Sequence, residues 1–352
     1  MQWGGHQPPR RRRDRDAPLH GDLCPSRTPA PWSEVHTVLR LRRSGVVLKP
    51  RHLPTRGGPE RTFLGVAFEP ARCQNPAMTD VTTATVSLPT GGAIPQVGLG
   101  VWQTPAGETA RQAVLEALSV GYRHVDTARI YGNEADVGAA VRSSGVPREQ
   151  VFVTTKLWND DQGYDQTLRA FDASLQRLGL DYIDLYLLHW PVAGKRLESW
   201  RALERLHAEK RARSIGVSNF LVPHLKELLG AAKQPPAVNQ IELTPFLQRR
   251  DTTAFCRQHG IVIEAYSPLT HGHRMDHPVL TDIARRIGKT VAQVLLRWSV
   301  QHGNVVLPKS TKPSRIAENA RLFDFALDER AMAKLDALEE GLVTGWDPAA
   351  QR

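Results

Sequence analysis

GYRHVDTARIYGNEADVG, residues 121–138, is the stretch from which the architecture can be read. Arg123 to Val125 is a short strand-like run, Asp126 stands at its carboxyl end, and a loop carries Tyr131 before a helical pattern opens near Asn133. A carboxylate buried at a strand end needs a cationic partner to stay charged. Further on, VFVTTK ends in Lys156 and DLYLLH ends in His189, so the next two strand candidates bring an ammonium and an imidazole to the same edge. The expectation is an acid/base group of Asp126, Tyr131, Lys156 and His189, with Tyr131 as proton donor and Lys156 as the cation that makes it a stronger acid. Singly, Asp126 and Lys156 could be a plain ion pair, His189 a core histidine and Tyr131 loop packing. Their arrival at three consecutive strand-to-loop junctions favours the chemical reading.

Outward from this stretch the pattern repeats. Strand candidates end near Gly100, Asp126, Lys156, His189, Ser218, Gln240, Tyr266 and Lys309, spaced 26, 30, 33, 29, 22, 26 and 43 residues apart. Amphipathic segments such as ETARQAVLEALSVG, YDQTLRAFDASLQRLG and VLTDIARRIG lie between them, several closing on Gly as helices commonly do. A hairpin is expected around Val86–Leu88 and Ala93–Ile94, turned by Thr90-Gly91-Gly92. Eight strand-helix units with an initial β-hairpin describe an α/β protein of the (β/α)8 TIM-barrel class. The rival, an open doubly wound sheet, needs a G-x-G-x-x-G loop after its first strand; here that place reads VGLGVWQT, with Gly98 and Gly100 but no third Gly and no helix opening at once. In a barrel, the polar and aromatic residues at the strand ends all converge on one face, including Ser218 with Asn219, Gln240, Tyr266, and Lys309 with Ser310. Trp102, Trp158 and Trp190 follow three of the strands and could be rim packing or the walls of an apolar pocket for a small substrate.

The chain divides by composition. Residues 1–77 hold 14 of the 46 Lys+Arg, 6 of the 36 Asp+Glu and 11 of the 25 Pro, so they carry +8 of the net +10. They include the Arg10–Arg15 basic run and show no apolar periodicity, which reads as a disordered, solvated Arg/Pro-rich extension. Translation starting at Met78 is a further possibility, since residues 78–352 suit a single barrel of about 250 residues. No apolar run reaches the roughly 18 residues of a membrane span, and no signal sequence opens the chain, so a cytoplasmic protein is expected. Cys24 and Cys73 lie in the extension, leaving Cys256 alone in the domain, which excludes a disulfide framework there. His271, His273 and His277 share a Gly/Pro-punctuated loop and are expected to be solvated rather than metal ligands.

Three separated stretches, in order, resemble the aldo-keto reductases: GYRHVDTARIYGNEADVG, ARSIGVSNF and LPKSTKPSRIAEN, within a likeness that covers residues 84–349. The short loop after Tyr266 and the GLVTGWDP tail are most similar to the bacterial 2,5-diketo-D-gluconate reductase branch. The resemblance implies that Asp126, Tyr131, Lys156 and His189 form the catalytic tetrad. It further implies that Ser218, Asn219 and Gln240 hold a nicotinamide carboxamide on which Tyr266 stacks, and that Ser267 and Leu269 approach the pyrophosphate. Lys309, Ser310 and Arg315 would grip the 2'-phosphate of NADPH, with Glu318 and Asn319 at the adenine. The basic extension has no counterpart in the family pattern.

The chemistry agrees independently. Hydride addition to a carbonyl makes an alkoxide, which needs a proton donor within hydrogen-bond reach; a phenol of ordinary pKa about 10 needs a nearby cation to serve. The expected function is NADPH-dependent reduction of small aldehydes and ketones, dicarbonyls and keto-sugar acids among them. No metal, membrane or nucleic-acid partner is expected, and the protein is expected to act as a monomer. The alternatives are a Schiff-base aldolase using Lys156, which Asp126 opposes by holding the amine protonated, and a non-catalytic NADPH-binding regulatory subunit, which would not need the whole tetrad.

Overall fold

A computed structural model describes residues 80–350. The expected disorder of residues 1–77 lies outside the described residues. A short antiparallel hairpin comes first, β1 (Thr85–Ser87) and β2 (Ala93–Pro95), pairing Val86 with Ile94. Its turn needs Gly91 and Gly92 because both take positive φ, 90° and 76°, where a side chain would be strained.

Strands and helices then alternate: β3 (Leu99–Gly100), α1 (Glu108–Ser119), β4 (His124–Asp126), α2 (Glu134–Ser143), β5 (Phe152–Leu157), α3 (Tyr164–Leu178), β6 (Ile183–Leu188) and α4 (Arg196–Ala208). The second half comprises β7 (Ala212–Ser218), α5 (Val222–Ala231), β8 (Val238–Glu242), α6 (Arg250–Gln258), β9 (Val262–Tyr266), α7 (Pro278–Ile287), α8 (Val291–Gln301) and β10 (Val305–Val306). Two helices end the domain, α9 (Pro313–Ala320) and α10 (Glu329–Asp336). Strands β3 to β10 pair in parallel, each with its sequence neighbour. The cylinder closes where Val97 bridges Val306, with Gly98 N donating to Val306 O and Val306 N to Gln96 O, both at 2.9 Å. The (β/α)8 barrel read from the strand spacing is therefore the fold.

Two boundaries differ from expectation: β8 runs on to Glu242, and β10 stops at Val306, three residues before Lys309. The sequence VVLPKS explains the second, because Pro308 cannot donate to a ladder and ends it early. Helix α10, not foreseen from the periodicity, is capped by Asp328, whose side chain accepts from Ala331 N.

The period-two alternation of each strand sorts its side chains. On β6, Tyr186 and Leu188 join the core beneath the helices, whereas Leu185 and Leu187 point inward and pack with Leu88 and Ile94 of the hairpin, Val238 and Val305. The hairpin thus plugs the amino-terminal end of the barrel with apolar side chains. Above that layer the interior turns polar, with His124, Asp126, Thr154, Lys156, Gln240 and Glu264 all buried. Gly98 belongs to this packing and not to a phosphate loop, since a Cβ there would come within 2.6 Å of His124 Nδ1. Outside, α2 lies so close to α3 that a Cβ on Gly138 would sit 1.8 Å from Leu178 O.

Candidate active site

Strand β4 delivers Asp126 and its neighbour β5 delivers Lys156 to the carboxyl-terminal mouth of the barrel, both essentially buried. Lys156 Nζ donates to Asp126 Oδ1 at 2.6 Å, to Thr127 O at 2.9 Å and to Tyr131 OH at 3.3 Å. An ammonium has three N–H groups, so each has a partner and the buried charge is fully satisfied. The other carboxylate oxygen of Asp126 accepts from Gln240 Nε2 at 2.8 Å. Burial pulls Lys156 toward neutrality, yet the charges of Asp126, Tyr131 and Glu264 outweigh it and its pKa is raised. The amine therefore stays protonated, which opposes attack on a carbonyl and disfavours the aldolase alternative. For Asp126 burial wins over the Lys156 charge and the direction is upward.

Tyr131 ends a single 3-10 turn, Arg129–Tyr131, that follows β4 directly. The turn is pinned by Asn133, fully buried, whose Oδ1 accepts from Thr127 Oγ1 at 2.7 Å and whose Nδ2 donates to Val101 O at 3.0 Å. Glu134 fixes the start of α2, accepting from Thr155 Oγ1 and from Arg177 Nε, each at 2.6 Å. The Asn-Glu pair of the opening stretch, to which no role was assigned from sequence, is the scaffold of the phenol. Burial pushes Tyr131 above the usual phenol value; the Lys156 ammonium pulls it back, as expected, without reversing the direction. His189, one residue beyond β6, packs edge-on to Tyr131 and to Trp158, with ring centroids 5.8 and 5.3 Å away. Burial, then the Lys156 charge, holds it well below the usual imidazole value, so it is neutral. Its Nδ1 is buried without a hydrogen-bond partner among the described residues. All four residues of the expected group are brought together.

The tryptophans lie around this centre in unequal degrees of burial: Trp190 buried, Trp158 half-buried and Trp102 exposed. Trp346, which sequence reasoning passed over, faces Trp190 at 6.0 Å. It is carried there by the segment after α10, which Glu242 anchors by accepting from Thr344 N at 2.8 Å. Trp102 is in contact with His271, whose Nε2 is 2.8 Å from Ser267 Oγ. His277 instead accepts from Val279 N and packs on Phe246, so the loop histidines turn to different neighbours.

Beyond β7, Asn219 takes φ 65°, a conformation asparagine tolerates, and its Nδ2 donates to His189 O at 3.0 Å. Tyr266 OH donates to Asn219 Oδ1 at 2.8 Å, tying the ends of β7 and β9 together. Ser218 and Gln240 adjoin across the β7–β8 register. The Gln240 amide nitrogen is spent on Asp126 and on Glu264 Oε2, at 2.8 and 2.6 Å, so its carbonyl oxygen is the function that remains for a ligand. Leu269 is half-buried beside this face. At the start of α9, Ser310 Oγ accepts from Lys312 N at 3.1 Å. Lys309 and Arg315 are exposed and have no anionic partner among the described residues. Glu318 is held by Thr290 Oγ1 at 2.9 Å, and Asn319 is buried next to it. No set of His, Cys, Asp or Glu suited to a metal occurs among the described residues.

The profile of the aldo/keto reductase family matches residues 96–340. Glyoxal reductase of Bacillus subtilis is 50% identical over 264 residues, 75% of this chain and 96% of its own length. Morphine 6-dehydrogenase of Pseudomonas putida is 49% identical over 278 residues, 75% of this chain and 94% of its own. Among solved structures, an aldo/keto reductase from Brucella melitensis superimposes with a TM-score of 0.70 at 49% identity, covering 72% of this chain and 99% of that one.

Proposed function

Because this chain belongs to the aldo/keto reductase family and is thereby an NAD(P)H-linked oxidoreductase of small carbonyl compounds, we propose that it reduces aldehydes and ketones, dicarbonyls and keto-sugar acids among them, with NADPH as reductant and Tyr131 as proton donor. The observation that carries this reading is the Lys156 ammonium, held at 2.6 Å by Asp126 and at 3.3 Å from the Tyr131 hydroxyl beside a neutral His189. Bound NADPH supplies the hydride. Tyr131 gives its proton to the oxygen that becomes the alkoxide, and Lys156 stabilises the phenolate left behind. Asp126 keeps Lys156 charged. His189, neutral, offers an N–H to the carbonyl oxygen and orients it. Trp158 and Trp190 exclude water from the reacting face, with Trp102 and Trp346 at the rim.

The cofactor assignment follows the same residues. Ser218, Asn219 and the Gln240 carbonyl oxygen suit a carboxamide, Tyr266 a ring face, and Ser267 with Leu269 a pyrophosphate. Lys309 and Arg315, two cations unpaired among the described residues, beside Ser310 and the amino terminus of α9 fit a 2'-phosphate; Glu318 and Asn319 border the adenine. Replacing Arg315 by Ala should weaken NADPH binding by about 1.5–3 kcal/mol, the cost of a lost charge-assisted contact, and leave NADH binding nearly as it was. Fluorescence titrations with the two cofactors check this, and equal losses for both would remove the 2'-phosphate role.

Residues 1–77 are proposed to take no part in catalysis, which the family match from residue 96 supports. A protein beginning at Met78 is expected to keep its melting temperature, cofactor affinity and turnover; a large fall in any of them would give the extension a role. A monomeric, cytoplasmic enzyme is part of the same proposal. The test of the reaction is NADPH oxidation, followed by its absorbance, over aldehydes, α-keto esters, dicarbonyls including glyoxal, and keto-sugar acids. Turnover on dicarbonyls or keto-sugar acids is expected, and inertness toward the entire panel would refute the reading.

A further inference from the structure

Beneath the proposed acid/base group lies a second carboxyl that none of these roles uses. Glu264, in the middle of β9, is fully buried inside the barrel. Its Oε2 accepts from Gln240 Nε2 at 2.6 Å, and the same nitrogen donates to Asp126 Oδ2 at 2.8 Å. A primary amide has two N–H groups, so one reaches each carboxyl and a single side chain spans them. Glu264 Oε1 has no hydrogen-bond partner among the described residues and lies 3.5 Å from His124 Nε2, which is itself 3.0 Å from Thr154 Oγ1.

The titratable groups facing Glu264 are His124 and Asp126 from β4, Tyr131 from the turn after it, and Lys156 from β5. Strand β8 contributes the neutral Gln240 amide, and β10, Val305–Val306, contributes no charge. Two buried carboxyls bridged by one amide thus share a single ammonium, that of Lys156, as their positive charge, and both cannot be ionised without an uncompensated buried charge. The balance is met when Asp126 is ionised against Lys156 and Glu264 holds a proton. Burial, then the Asp126 charge, pushes Glu264 up to about 8. Burial holds His124 down at about 3, so that ring brings no positive charge to relieve it.

We propose that Glu264 is a positioning residue and the alkaline sensor of the site: it clamps the Gln240 amide against Asp126, and loss of its proton adds a buried negative charge that makes Tyr131 a weaker acid and slows reduction. This rests on the reading of Tyr131 as proton donor. It follows that reduction should decline at alkaline pH through Glu264 and not through Tyr131, whose own proton is held beyond the ordinary phenol range. The direction is fixed by charge: below its titration Glu264 is neutral and Tyr131 feels only the Asp126–Lys156 pair, while above it a second anion opposes the phenolate.

Glu264→Gln keeps a carbonyl oxygen for the Gln240 amide and deletes the titration. Wild-type kcat is expected to fall about tenfold between about pH 7 and about pH 10, as one added charge in a low-dielectric interior requires, whereas the variant should be nearly flat over the same range. An alkaline limb identical in the two proteins would overturn the sensor. Glu264→Ala frees the amide, so NADPH binding, read by quenching of protein fluorescence, should weaken several-fold in the Ala variant relative to the Gln variant; equal affinities would overturn the clamp. An activity-independent arm uses infrared pH-difference spectra. The C=O stretch of a protonated carboxyl, present near neutral pH and lost on alkalinisation, should vanish in Glu264→Gln, and its persistence there would sink the proposal. If no carbonyl is turned over by the wild type, the reductase reading fails, while the infrared band still decides the protonation of Glu264.

Discussion

Tyr131→Phe is expected to lower kcat for carbonyl reduction by about 10²- to 10⁴-fold, the range lost with a general acid, while NADPH affinity stays close to wild type and the melting temperature falls modestly. The substitution removes one oxygen. Among the described residues that oxygen receives a single long hydrogen bond, from Lys156 Nζ at 3.3 Å, and the ring keeps its edge-on contact with His189. Loss of that bond leaves one N–H of the buried Lys156 ammonium without a partner, at about 1–3 kcal/mol of stability, which unfolding measures separately from the change in the barrier. Single-turnover kinetics with saturating NADPH isolates the effect on the chemical step. A Phe variant with most of its turnover would move the proton to another donor, and His189 is the neighbouring candidate.

Lys156→Met has the second-largest expected effect, and it strikes stability as well as rate. The cation sits fully buried with three acceptors, and removing it leaves the Asp126 carboxylate uncompensated in the barrel. Breaking one side of a buried pair costs about 3–5 kcal/mol, which thermal or denaturant unfolding would register directly. Turnover should also fall by at least about 10²-fold, since the phenolate of Tyr131 loses the charge that stabilises it. The double variant Asp126→Asn/Lys156→Met separates the two roles, because it restores charge balance. Its stability should return most of the way to wild type while its activity does not. Recovery of activity in the double variant would mean that Lys156 serves only to keep Asp126 company.

The barrel and its four-residue group were legible because both follow from local order: polar residues recur where each strand ends, and parallel strands bring those ends to one face. What escaped was set by packing across the interior. Glu264 stands two residues before Tyr266 in the run VIEAY, and period-two alternation places Val262, Glu264 and Tyr266 on one face. A charged residue on the inward face of a barrel strand is a legible anomaly, but only its neighbours on β4, β5 and β8 give it a meaning. Trp346 reaches Trp190 through a tail whose path is fixed by Glu242 and Phe246, contacts separated by about a hundred residues that no local pattern encodes. The role of Asn133 and Glu134 was hidden for a different reason, since a polar pair opening a helix reads equally well as a solvated cap. The pull of Lys156 on the Tyr131 proton was anticipated in sign; its being outweighed depends on how completely the barrel mouth excludes water.

In the proposed reaction a hydride passes from NADPH to a carbonyl carbon and a proton from Tyr131 to its oxygen. This is tested most directly by supplying the wild-type protein with NADPH dideuterated at nicotinamide C4 and a dicarbonyl substrate, then examining the product by proton and deuterium NMR. One deuterium is expected on the new carbinol carbon and none on the hydroxyl, with the labelled product nearly absent when Tyr131→Phe replaces the wild type. Oxidised cofactor without deuterium at carbon, or no alcohol at all, would contradict it.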